Sequence, residues 1–135
     1  MTWEPRPVPD VNPETEPFWE RTAEGVLTLC ECDECGLVFH YPRAHCPECF
    51  SERVESIDAA GTGEVYTHTT MESVPGWPDT AQPVTLAVVE LDEGVRLLTN
   101  IVDSDPADVH VGAPVEVVFQ ETEENLAVPT FRLQP

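Results

Sequence analysis

The sequence predicts a mainly β protein made of a short N-terminal helix, a metal-stapled ribbon and a small five-stranded barrel. Three observations carry that expectation. Four cysteines form two Cys-x-x-Cys pairs, Cys32/Cys35 and Cys46/Cys49, separated by ten residues. From residue 63 onward, short runs rich in Val, Leu and Thr are broken by turn residues, the pattern of strands. Ahead of the first pair, Asn12-Pro13-Glu14 reads as a helix start.

Taken in order, residues 1–12 hold three prolines and read as an extended arm. Asn12 then suits an N-cap, Pro13 the first helical position, and Glu14 an acid in the first turn. Phe18, Trp19 and Thr22 follow, and Gly25 ends the segment; Pro17 admits a break near the first turn. The two aromatics anchor this helix on a surface. Two surfaces stand open: the chain's own ribbon or barrel, and a partner.

Runs 26–30 (VLTLC) and 37–41 (LVFHY) read as ribbon strands flanking the first cysteine pair, and 54–58 (VESID) leads out of the second. Further strands are expected at 63–71, 84–91, 95–102, 114–121 and 128–133. Asp92-Glu93-Gly94 makes a short hairpin turn, and residues 103–112 form a longer crossing. Five strands with one longer link between the third and fourth fit a Greek-key barrel of the OB type. Gly61, Gly63 and Gly112 stand where such a barrel needs bends or close backbone approach. The expected division is 1–24 for arm and helix, 25–58 for the ribbon and 59–135 for the barrel.

The cysteine pairs have turn-forming neighbours, Cys35-Gly36 and Cys46-Pro47. Two tight knuckles of this kind point four thiolates at one tetrahedral centre. Zn²⁺ fits such a centre best, at about 2.3 Å per sulfur. A four-cysteine site has no open coordination position, so the single ion is expected to be structural. Residues 1–11 (MTWEPRPVPDV) lack the basic and apolar regions of a secretory signal, which predicts a cytoplasmic protein with reduced thiols. A thioredoxin-like redox pair opens a helix after a strand, whereas both pairs here lie in turn-rich sequence. Cys30 alternates with Thr28 and Cys32 in a strand-like run and is read as a buried or idle thiol outside the site.

Charge limits the functions available. Asp and Glu number 26 against six basic residues, all of them arginine, for a net charge of −20. The excess is spread along the chain: −4 over residues 1–24, −5 over 25–58 and −11 over 59–135. A uniformly acidic, lysine-free globular sequence looks like that of a salt-in halophile, because at about 1 M salt the Debye length falls to ~3 Å and self-repulsion is screened. Zinc ribbons and OB barrels often bind nucleic acid, and that is the alternative function. Phosphate neutralisation by Lys and Arg supplies most of such affinity, so this charge opposes it. No apolar stretch approaches the ~18 residues needed to span a bilayer.

Catalytic equipment is sparse. His40, His45, His68 and His110 are dispersed, and none lies in a nucleophile elbow or a His-Glu-x-x-His motif. Ser51, Ser56, Ser73 and Ser104 have no evident base, and no glycine-rich loop cradles phosphate. Residues 72–83 (ESVPGWPDTAQP) form a stiff loop with Trp77 at its centre. Trp77 is either an interface anchor or a plug for one end of the barrel.

The motifs fall in a recognisable order: Pro17-Phe18-Trp19-Glu20, Cys32-Asp33-Glu34-Cys35-Gly36, Tyr41-Pro42-Arg43, Cys46-Pro47-Glu48-Cys49 and Gly61-Thr62-Gly63-Glu64-Val65-Tyr66. Leu91-Asp92-Glu93-Gly94, residues 97–102 (LLTNIV) and Gly112-Ala113-Pro114-Val115-Glu116-Val117 complete it. This series resembles the DUF35 family of OB-fold proteins with a rubredoxin-like zinc ribbon, over about residues 13–135. The resemblance implies a non-catalytic accessory subunit that binds or channels acyl-CoA beside a thiolase-like enzyme. In that family the partners are acetoacetyl-CoA thiolase and HMG-CoA synthase, or the thiolases, hydratases and aldolases of lipid degradation. For the coenzyme, Arg43 offers a bidentate fork to phosphate, with Phe39 and Tyr41 as aromatic faces for adenine. The other reading pairs Arg43 with a neighbouring acid. Arg96 and Arg132 are weaker candidates. The acidity of the barrel points to a site shared with the partner enzyme.

Overall fold

The computed structural model describes residues 3–135. Helix α1 (Glu16–Ala23) leads to a three-stranded antiparallel ribbon sheet, β1 (Thr28–Cys32), β2 (Val38–Phe39) and β3 (Val54–Asp58), in the order β2-β1-β3. The chain then winds β4 (Thr62–Met71), β5 (Val84–Leu91), β6 (Arg96–Ile101), β7 (Pro114–Glu121) and β8 (Ala127–Leu133) into a closed barrel, ordered β4-β5-β6-β8-β7. Every barrel pairing is antiparallel except β6 with β8, joined in parallel at Ile101 and Phe131. That swap of the last two strands is the Greek-key closure expected of an OB barrel.

Alternation decides which face points inward. Along β5, Val84, Thr85, Ala87, Val89 and Leu91 are buried, and Leu97, Thr99 and Ile101 do the same on β6. Phe131 of β8 and Val65 of β4 complete a core that also takes in Phe18 of α1 and Leu27 and Leu29 of the ribbon. Helix, ribbon and barrel therefore share one apolar centre. Trp19 lies partly buried against the same cluster, so both helix aromatics pack on their own chain.

Two glycines explain where the barrel closes. A Cβ on Gly63 would run into the carbonyl oxygen of Glu90 and sit 2.9 Å from the Leu91 Cα, so β4 and β5 approach too closely for a side chain. Gly61 has φ +80°, and a Cβ there would also press on Val117.

Three local expectations are corrected. The arm is not extended: Arg6 N–H bonds the Trp3 carbonyl at 3.3 Å in a turn, and Trp3 N–H bonds Glu121 at 2.9 Å. The Trp3 side chain is buried and its indole N–H donates to the Pro7 carbonyl at 2.7 Å; burial of a large apolar ring with a satisfied donor folds the arm back. The helix also starts later than Asn12. The Asn12 side chain accepts from the Glu14 and Thr15 N–H groups at 3.0 Å, closing an isolated turn, and α1 begins at Glu16 with Pro17 in its first turn. The first ribbon strand runs Thr28–Cys32, two residues later than expected, so that it ends on the first zinc-type ligand.

Candidate metal centre and its surroundings

The first cysteine pair closes the β1–β2 hairpin. Cys32 N–H bonds the Leu37 carbonyl at 2.9 Å, and Gly36 N–H bonds the Cys32 carbonyl at 2.9 Å. The second pair repeats that pattern, with Cys46 N–H to Ser51 at 2.9 Å and Phe50 N–H to Cys46 at 3.0 Å. The fifth residue of each knuckle has positive φ: Gly36 at +76° and Phe50 at +61°. Arg53 locks the two together, its guanidinium 2.6 Å from Asp33 and its carbonyl accepting from the Asp33 N–H at 2.8 Å.

These knuckles bring all four sulfurs within 4.8 Å of one another. Cys32 and Cys49 are 3.5 Å apart and Cys35 and Cys46 3.6 Å, close to the ~3.8 Å edge of a tetrahedron with ~2.3 Å metal–sulfur bonds. Disulfides, at about 2.05 Å, do not fit these separations. The four cysteines are positioned to bind one metal ion. Cys30 lies outside the cluster, buried on β1, where desolvation pushes its thiol up against the opposing pull of the Arg43 N–H. His45 also lies outside, its ring 3.4 Å from Glu52.

Four thiols this close cannot all ionise unaided. The backbone N–H of Cys35, with help from that of Glu34, draws Cys32 down to about 7. For Cys49 the Ser51 N–H favours the thiolate, yet hydrogen bonding with the other sulfurs and burial drive it up to about 12. A bound dication removes this conflict by stabilising every thiolate at once.

Between the knuckles runs the Tyr41-Pro42-Arg43 segment. Phe39 is buried, so of the three residues grouped here only Tyr41 and Arg43 expose their side chains. The Tyr41 hydroxyl accepts from the Leu98 N–H at 3.3 Å, clipping the ribbon to β6. Among the described residues the Arg43 guanidinium donates only to the Pro42 carbonyl, at 3.0 Å, and forms no ion pair. His40 is wedged between Phe18, at 5.3 Å, and Tyr41, at 4.3 Å, with its Nδ1 unpartnered. Burial first, then the nearby Arg43 charge, lower its pKa to about 4, so its ring is neutral near pH 7. Of the weaker cation candidates, Arg96 is tied to Glu90 and Arg132 to Glu116, both at 2.9 Å.

Sequence reasoning missed a second constellation. Arg6 is buried, its guanidinium 4.2 Å from the Trp3 ring centre and 5.4 Å from that of Trp77. Trp77 is half-buried and meets Trp3 edge-on at 5.9 Å. The Trp3-x-x-Arg6 spacing within a proline-rich stretch was the available signal, since a turn there stacks the cation on the ring.

Residues 19–55 match the family "ChsH2, rubredoxin-like zinc ribbon domain", and residues 56–120 match "ChsH2, C-terminal OB-fold domain". A probable enoyl-CoA hydratase alpha subunit of Thermomonospora curvata is 35% identical over 127 residues, 94% of this chain; the match spans 40% of that longer protein. A DUF35 domain-containing scaffold protein of Methanocaldococcus jannaschii is 37% identical over 95 residues, covering 70% of this chain and 67% of the other. A solved structure described as an Ltp2-ChsH2(DUF35) aldolase superposes with a TM-score of 0.83 at 33% identity, over 93% of this chain and 98% of that one.

Proposed function

This chain belongs to the DUF35 family of ChsH2-type zinc-ribbon and OB-fold proteins, and from that premise we propose that it is a non-catalytic accessory subunit of an acyl-CoA-processing complex. The observation that carries this reading is the match to nearly the whole DUF35 chain of an aldolase assembly. In the proposed complex the zinc-held ribbon stiffens a docking surface, and a thiolase-like enzyme, or a hydratase or aldolase, supplies the chemistry.

Features of the surface support the reading. Tyr41, Phe50 and Leu98 are large apolar side chains left exposed, and two of them stand on the ribbon. Exposed aromatics on rigid turns are efficient interface anchors because they lose little entropy on binding. Arg43, lacking an acid partner among the described residues, is available for a coenzyme phosphate at a site shared with the enzyme, with Tyr41 beside it. Four of the six arginines are held by carboxylates, so no basic stripe is free to track a nucleic-acid backbone. No helix among the described residues is long and apolar enough to cross a membrane.

The test is affinity purification of the tagged protein in molar KCl, which screens its net charge of −20. A thiolase-like enzyme, hydratase or aldolase should co-elute, and Arg43→Gln should weaken acyl-CoA binding by the complex without dissociating it. Recovery of nucleic acid, or of the protein alone, rejects the proposal.

A further inference from the structure

Away from the ribbon, the arm, the 72–83 loop and strands β5 to β7 enclose a cleft of about 360 Å³, within the range of small-molecule pockets. Most polar side chains lining it are already engaged. The Gln82 amide donates to the Val74 and Trp77 carbonyls at 3.3 and 2.9 Å, which fixes the Trp77 loop. Ser104 donates to Val102 at 2.9 Å and accepts from the Leu133 N–H at 3.1 Å. Two side chains, Arg6 and Asn100, retain unspent donors among the described residues. The Arg6 side chain is 4% exposed, and its one hydrogen bond among the described residues runs from Nε to the Trp3 carbonyl at 2.7 Å. Among the described residues it has no ion pair, although a buried guanidinium ordinarily has one. Asn100 lines the same cleft, and its Nδ2 has no hydrogen-bond partner among the described residues.

We propose that this cleft is a binding site for a small oxyanion, a carboxylate or phosphate group, held by the Arg6 guanidinium beside Trp3 and Trp77 with Asn100 as second donor. The Trp3 and Trp77 ring centres lie 4.2 and 5.4 Å from the guanidinium carbon and 5.9 Å from each other, so both indoles pack on one side of the cation and leave its remaining edge for bidentate pairing. The surroundings explain why an external anion is wanted. Burial lowers the Arg6 pKa, against the smaller opposing effect of Glu4. The Glu4 carboxylate accepts from the Glu123 N–H at 2.9 Å through Oε2, while its Oε1 is buried without a partner among the described residues and makes no ion pair with Arg6. Asp103 is exposed at the cleft's edge and sets a preference for ligands with a single compact charge. This site is independent of the accessory-subunit reading, since its test needs neither the partner enzyme nor acyl-CoA.

The test is titration of the intact protein with inorganic phosphate and, separately, with acetate, at fixed potassium concentration, followed by tryptophan fluorescence. Trp3 and Trp77 flank the cation, so binding should give a saturable change that Trp77→Phe diminishes. Arg6→Gln should raise the midpoint at least about tenfold, the loss expected of a charge-assisted hydrogen bond, while Arg6→Lys retains part of the affinity. Saturation by acetate alone identifies a carboxylate site, and by phosphate alone a phosphate site. If Arg6→Gln is unfolded by far-ultraviolet circular dichroism, Asn100→Ala decides by the same rise in midpoint. A linear response to both anions, or an unchanged midpoint in the folded variants, overturns the proposal.

Discussion

The ribbon and the barrel are built on opposite principles, although they share a core. The barrel closes its five strands around residues such as Val89, Val115 and Phe131, each fully buried, and every strand has two neighbours. The ribbon has three strands, one of only two residues, and its knuckles expose Cys35, Cys49 and Phe50 to solvent. Apolar burial is enough for the first. The second depends on four sulfur–metal bonds where a sheet this small cannot bury enough surface. The comparison teaches that the metal's role is local: it fixes the segment carrying Tyr41 and Arg43, and the barrel supplies the platform under it.

Metal removal should separate the two regions most sharply. Structural zinc contributes about 10–16 kcal/mol in small zinc-finger peptides, more than a sheet of this size gains by packing. Chelation, or Cys46→Ser at the fully buried ligand, should abolish amide protection over β1 and β2 in hydrogen exchange. Val89 and Phe131 should stay protected, though less than before, because Leu27 and Leu29 lend the barrel part of its core. Equal loss in both regions would show that the distinction is false.

The converse experiment is Phe131→Ala. Its ring is fully buried and its backbone joins β8 to β6 and β7, so the deletion leaves a cavity at the point of closure. A cost of about 3–5 kcal/mol is expected, read from urea denaturation of the metal-loaded protein. Zinc stoichiometry should remain at one per chain. Loss of metal together with the barrel would mean that the ribbon cannot stand without it.

What the sequence disclosed follows the same line between local and distant causes. Strands 84–91 and 114–121 coincide with β5 and β7, because alternation and flanking turns are local signals. The four metal ligands were legible for the same reason, since each knuckle is a short-range motif. The helix start was displaced because Asn12 closes its own turn and Pro17 favours a fresh beginning. The folded arm and the Arg6 cleft were mostly hidden, because the Trp3-x-x-Arg6 spacing signals only a local turn. They depend on Trp3 meeting Glu121 and Trp77, contacts between remote parts of the chain that no periodicity encodes.

The smallest expected effect tests the comparison within the ribbon itself. The two knuckles share one hydrogen-bond pattern, but the left-handed position is Gly36 in one and Phe50 in the other. A non-glycine residue held there costs about 1 kcal/mol, and Phe50, 75% exposed, recovers little of that by packing. Phe50→Gly should therefore raise the stability of the metal-loaded protein only slightly, by at most about 0.6 kcal/mol after the greater chain entropy of glycine is counted. The same substitution should weaken capture of the partner enzyme if the phenyl ring is an anchor. A gain in stability joined to a loss of capture would mean that the strain at this knuckle serves an interface outside the chain. A loss of stability would mean instead that the ring supports the ribbon, and the two knuckles would then differ in packing and not in purpose.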